Sequence, residues 1–133
     1  MEKLVRDKIP EIIEQKWEEV LYRLASSVAE KIRFLIEKAT EEESEFQHAI
    51  KRADKIWEAA DCAEVYNELI AVSQKMIDNN YASIYSVRMV SLFVELKKWG
   101  ITLDELVSVQ KEKREQRGGF EKGIILIMEE SRK

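Results

Sequence analysis

Two pairs of acids stand out by their spacing. Glu42 and Glu45 lie three residues apart, and so do Glu58 and Asp61. Residues three apart share a face of a helix. A carboxylate is costly to bury unless it is paired or binds a metal. Four carboxylates drawn to one spot repel each other unless protons or cations intervene. An all-oxygen set of this kind suits Mg²⁺, Mn²⁺ or Ca²⁺ rather than zinc. It does not suit a di-iron bundle centre, which needs Glu-x-x-His pairs. The only histidine, His48, follows Glu45 on one stretch alone. The competing reading is a solvated acidic face, because the chain is rich in Glu and the run from Glu41 to Glu45 is itself acidic.

The elements that carry these acids decide between the two readings. From Val28 to about Ala49 an apolar stripe runs through Val28, Ile32, Leu35, Ala39, Phe46 and Ala49. Glu42 stands where the period calls for a core residue. Ser26 or Ser27 supplies an N-cap. A second helix is expected over about Ala53 to Met76. Its stripe of Val65, Leu69, Val72 and Met76 extends back to Asp61 and Glu58. A short connection near Ile50 to Arg52 makes the two helices antiparallel neighbours. Glu45 then faces Glu58, and Glu42 faces Asp61. Glu41 and Glu43 read as exposed. Glu64 reads as a support behind the ligands or as a further ligand.

The rest of the chain points to more helix. Pro10 suits the first turn of a helix reaching about Glu19. Val20 to Ala25 reads as a short extended segment or an ambiguous one. Asp78-Asn79-Asn80 is a turn signal. A broadly apolar helix follows from about Ala82 to Trp99, ended by Gly100. Thr102 to Glu105 fits a capping box for another helix that stops before Gly118-Gly119. The run from Gly123 to Glu130 is a short helix or a strand-like arm. The expectation is a single all-α domain over 1-133, an antiparallel bundle of about five helices with an acidic helix-pair metal site.

Composition narrows the function. The net charge is −4 over 133 residues, which disfavours a nucleic-acid polymer as partner. The single cysteine, Cys62, rules out an intramolecular disulfide and reads as a small buried residue. No segment reaches the roughly 18 apolar residues of a membrane span. The N-terminus carries no apolar signal core. These features lead us to expect a cytoplasmic protein with no membrane partner.

Glu41-Glu42-Glu43-Ser44-Glu45 followed by Glu58-Ala59-Ala60-Asp61 resembles the EExxE…ExxD signature of the all-α NTP pyrophosphohydrolases. That superfamily includes MazG-type enzymes, dimeric dUTPases and phosphoribosyl-ATP pyrophosphohydrolases. Lys3 to Pro10 (KLVRDKIP) and Arg117 to Phe120 (RGGF) resemble the ends of a phosphoribosyl-ATP pyrophosphohydrolase-like subgroup. The resemblance implies Mg²⁺-dependent hydrolysis of a nucleoside triphosphate to the monophosphate and pyrophosphate, with Mn²⁺ as an alternative ion. It implies Glu42, Glu45, Glu58 and Asp61 as metal ligands, with Glu42 or Glu45 orienting or deprotonating the water. It also implies a homodimer or homotetramer. The substrate is phosphoribosyl-ATP or a non-canonical nucleoside triphosphate. The other reading is a non-catalytic nucleotide- or protein-binding domain of the same fold.

Phosphates need cationic partners. Lys3, Arg6 and Lys8 form one basic cluster; Lys113 and Arg117, with Lys111 and Arg114, form another. Arg6 and Arg117 are preferred, because guanidinium matches phosphate oxygens bidentately. A solvated helix face is the other reading for Lys113 and Arg114. The Gly pair permits close backbone approach to phosphate. Trp57 or Phe46 could stack on a base, though core packing accounts for each. In the subgroup only a short stretch is expected between the ExxD helix and the last helix. Ser73 to Gly100 therefore reads as an insertion, apolar enough to be buried on more than one side.

Overall fold

A computed structural model describes residues 1–16, 19–75 and 80–128. The two acid-bearing helices form as the periodicity requires. α2 spans Val28–Ala49 and α3 spans Lys55–Ser73. Ser27 caps α2, its hydroxyl accepting from the Glu30 N–H at 3.0 Å. The turn between the helices is held by a bond from the Arg52 N–H to the Ala49 carbonyl, 2.8 Å. α3 starts two residues later than expected, and Met76 lies outside the described residues.

α3 is the centre of the bundle. Ala59, Ala60, Cys62, Ala63, Val65, Tyr66, Leu69 and Val72 are buried around its circumference. The small residues among them let α2, α4 (Asn80–Lys98) and α5 (Leu103–Arg117) all pack against it. Leu35, Leu69 and Leu106 are fully enclosed, and truncating one of them to alanine costs about 2–5 kcal/mol. α5 begins with a capping box: the Thr102 hydroxyl accepts from the Glu105 N–H, and the Glu105 carboxylate accepts from the Thr102 N–H. α4 buries only one side, through Tyr85, Met89, Leu92 and Leu96. Ile84, Val87, Val90 and Val94 stay exposed. Of the expected turn at 78–80, Asp78 and Asn79 lie outside the described residues, and Asn80 opens α4.

A small sheet joins the helical bundle. α1 spans Ile9–Lys16, and the next two residues of the expected helix, Trp17 and Glu18, lie outside the described residues. The ambiguous segments both become strands: β2 is Leu21–Leu24 and β3 is Ile124–Ile127. β3 lies between β1 (Glu2–Leu4) and β2, antiparallel to both. Its β-branched run favours an extended chain, and Ile125 is wholly buried against the bundle core.

The sheet has a consequence for the site. It ties the N-terminal segment to the chain after α5. The Asp7 N–H donates to the Gly119 carbonyl at 2.8 Å, and the Lys8 N–H to that of Arg117 at 3.0 Å. Gly118 has a φ of +80°, and a Cβ there would lie 3.0 Å from the Lys8 nitrogen. Its close approach is to protein backbone. Arg6 and Arg117 are brought together by this contact.

Candidate metal and phosphate site

Glu42, Glu58 and Asp61 offer carboxylate oxygens that all lie within 4.8 Å of one another. A second group, Glu41, Glu42 and Glu45, meets the same limit. The four expected acids therefore form two groups that share Glu42. Glu41, expected to be exposed, is half-buried and belongs to the second. Glu45 stays exposed at the outer edge.

Glu42 is the innermost of these acids, 5% exposed. Its Oε1 lies 3.2 Å from the Lys38 ammonium, while its Oε2 is buried with no hydrogen-bond partner. A buried oxygen without a partner needs an explanation, and a cation would supply one. Burial pushes the Glu42 carboxyl up to about 7, with Asp61 and Glu45 adding to the rise and Lys38 opposing it. Glu58 is raised by burial, then by Asp61 and Glu45. The donor set is entirely oxygen and fits a hard divalent cation.

The structure also brings three of the chain's own cations against these acids. Asp61 Oδ1 accepts from Arg6 Nη2 at 2.7 Å, and its Oδ2 from Lys113 Nζ at 2.6 Å. Lys38 reaches both Glu42 and, at 3.5 Å, Glu41. Burial alone would lower the Lys38 ammonium, but the charges of Glu42 and Glu41 outweigh it and leave it raised. Lys38 was not singled out from the sequence. Its signal was there, since Lys38 and Glu42 stand four apart on one helix face.

A cleft of about 250 Å³ opens beside the cluster. Glu42 and Asp61 line it together with Lys3, Arg6, Lys38 and Arg117. Val5, Ile9, Phe120 and Leu126 complete the lining. Arg117 has no ion-pair partner among the described residues. Arg6 is buried, its Nη1 donating to the Gly118 carbonyl at 2.9 Å and its guanidinium 5.2 Å from the centre of the Phe120 ring.

The other expected phosphate contacts lie differently. Lys8 turns away and donates to the Glu115 carbonyl at 2.8 Å. Lys113 is buried, and besides Asp61 it donates to the Trp57 carbonyl at 2.9 Å. It does not line the cleft. A larger cavity, about 390 Å³, lies between α4 and α5, but Lys97 is the only charge in its lining.

The remaining candidates have structural partners. Glu64 is buried and ion-paired with Arg114. Glu43 accepts from the Tyr66 hydroxyl at 2.7 Å and from Arg88 at 3.0 Å. Phe46 and Cys62 are core residues, and burial raises the Cys62 thiol. Trp57 is half-buried, with the Lys113 ammonium 5.4 Å from a ring centre. His48 is exposed, its ring Nδ1 2.8 Å from the Ser44 carbonyl oxygen.

Comparison of the chain with protein-family models, with curated proteins and with solved structures returns no match. Among the described residues no helix is long and apolar enough to cross a membrane.

Proposed function

We propose that this chain is a divalent-metal-dependent nucleotide pyrophosphohydrolase. One observation carries the reading. Glu42, Glu58 and Asp61 are gathered into one oxygen cluster, two of them on the wall of a cleft that also presents four cations. Acids that would hold a metal and cations that would hold phosphate thus share one opening. The sequence resemblance points to the same chemistry and supplies the nucleotide, either phosphoribosyl-ATP or a non-canonical nucleoside triphosphate.

In this reading Glu42, Glu58 and Asp61 hold Mg²⁺ or Mn²⁺. Such an ion, when bound, neutralises phosphate charge and acidifies water. Lys3, Arg6 and Arg117 bind and orient the phosphate chain. A water oxygen bonds to the α-phosphorus as the bond to the pyrophosphate oxygen breaks, releasing the monophosphate. Glu45 takes the proton from that water, because it is exposed beside Glu42 and has no ion-pair partner among the described residues. The resemblance also carries a homodimer or homotetramer, and the exposed apolar side of α4 is where a second copy adds contact area.

The test is pyrophosphate release from a nucleotide panel with Mg²⁺, comparing wild type with Asp61→Asn. The reading expects release by wild type, abolished in the variant. No release from any nucleotide, with no metal-dependent thermal shift, overturns it. The second reading, a non-catalytic nucleotide-binding domain, has support in the ion pairs that occupy Asp61 and Glu42. It expects nucleotide binding without pyrophosphate release.

A further inference from the structure

We propose that Lys38 and Arg6 are shared cations, which hold the carboxylates in the free protein and turn to phosphate oxygens when a diphosphate enters. Divalent cation and diphosphate then bind cooperatively. The inference rests on the carboxylate cluster being a divalent-cation site, and concerns how that site is filled.

The charges come first. Three carboxylates, Glu42, Glu58 and Asp61, face three cations of the chain itself, Lys38, Arg6 and Lys113. With Glu41 and Glu45 beside them and Lys3 on Glu41, much but not all of the acid charge is met by the chain's own cations. A dication entering alone that takes Asp61 or the Lys38-paired oxygen of Glu42 competes with a cation of the chain and adds positive charge to a partly buried space. A diphosphate entering alone brings its oxygens beside the carboxylates of Glu42 and Asp61, which line the cleft. Each ligand supplies the charge that the other lacks, so each favours the other.

The geometry separates the cations that can turn from the one that cannot. Lys38 and Arg6 both line the cleft. Lys38 is a flexible side chain with three rotatable donors, and one of its two partners, Glu42, is a carboxylate that the metal would take. Arg6 keeps a fixed anchor, since Nη1 stays on the Gly118 carbonyl while Nη2 is the arm on Asp61. Lys113 is absent from the cleft lining and is held by the Trp57 carbonyl as well as Asp61. It remains with Asp61 throughout.

The experiment measures a binding cycle. Mn²⁺ binding is followed by electron paramagnetic resonance and calorimetry, alone and with methylenediphosphonate, whose bridge resists hydrolysis. Methylenediphosphonate binding is also measured in EDTA, and free concentrations are corrected for the complex formed in solution. In wild type each ligand should tighten the other by at least about tenfold. Lys38→Met should bind Mn²⁺ alone more tightly than wild type and show a clearly smaller coupling factor, the remainder being carried by Arg6 and by direct attraction between the ligands. Lys38→Arg should restore the coupling. Thermal unfolding of both variants checks that the fold is kept.

Mn²⁺ bound equally well with and without diphosphonate overturns the shared-cation proposal and leaves the metal site standing. So does a Lys38→Met protein that keeps wild-type coupling. Mn²⁺ failing to bind under every condition overturns both. No outcome depends on turnover.

Discussion

Two carboxylates buried to nearly the same degree, Glu42 at 5% and Glu64 at 3% exposure, have different surroundings. Each has one oxygen paired with a cation and one buried oxygen without a partner. Glu64 meets Arg114 from α5 and belongs to neither metal-competent group. Glu42 meets Lys38 from its own helix, and both groups include it. Burial is the same in the two places, so burial alone does not mark a ligand. What marks Glu42 is the convergence of further acids on it, an arrangement that costs folding energy and makes sense as a site for a cation.

The largest effect expected from this contrast is on activity. Glu42→Gln should lower metal-dependent pyrophosphate release by about a hundred- to a thousandfold, the scale seen when one electrostatic contact to a reacting group is lost. Glu64→Gln should keep release within about tenfold of wild type. Steady-state kinetics on a nucleotide that wild type hydrolyses measures both. Equal losses at the two positions would erase the distinction.

The next effect is on stability, and its sign differs between the two places. Arg114→Ala leaves Glu64 without its cation and should cost about 1 kcal/mol, since the Arg114 side chain is half exposed, read from chemical denaturation. Glu42→Gln removes a charge held among other acids and should stabilise the metal-free protein by about 1 kcal/mol. If both variants lose stability alike, Glu42 is held as a structural ion pair.

A third acid sharpens the comparison through pH. Burial raises the Asp7 carboxyl from 3.8 to about 6, with Glu121 adding to the rise and the Lys122 N–H opposing it. An acid raised in this way contributes stability that is complete below about pH 4 and is lost as the pH climbs through 6. Asp7→Asn should therefore exceed wild type by about 1 kcal/mol near pH 8, allowing for solvent screening, and match it near pH 4. Thermal unfolding across this range measures the difference.

The smallest effect belongs to the outer side of α4. Val87 is 66% exposed, so Val87→Lys should change monomer stability by no more than about 0.5 kcal/mol. A larger loss that depends on protein concentration would show that this face is covered by a second copy.

Much of the fold was legible in the chain. The spacing on α2 and α3 located both helices and showed that Glu42 interrupts a core stripe, because helix periodicity is a local property. The Ser26–Ser27 pair and Thr102 marked helix starts for the same reason, and the structure chose Ser27 from the pair. The sheet was not legible. Val20 to Ala25 and Gly123 to Glu130 are short apolar runs, and whether such a run is strand or helix depends on partners far away in the chain.

The site divides in the same way. Sequence alone pointed to Glu42, Glu45, Glu58 and Asp61 as acids that could gather, since each pair shares a face of one helix and a short turn sets the two helices side by side; Glu41, read as exposed, was added by the structure. The Lys38 contact to Glu42 follows from spacing within α2, but only the tertiary structure decided which cations from other segments meet the acids. Arg6 reaches Asp61 because β1 pairs with β3 and Gly118 lets the chain after α5 lie against residues 7 and 8. Lys113 reaches the same carboxylate from α5. Lys8 belongs to the same basic cluster as Arg6 in the sequence, yet it turns to the Glu115 carbonyl instead. Contacts within a helix follow from residue spacing; contacts between distant segments follow from how the chain closes on itself.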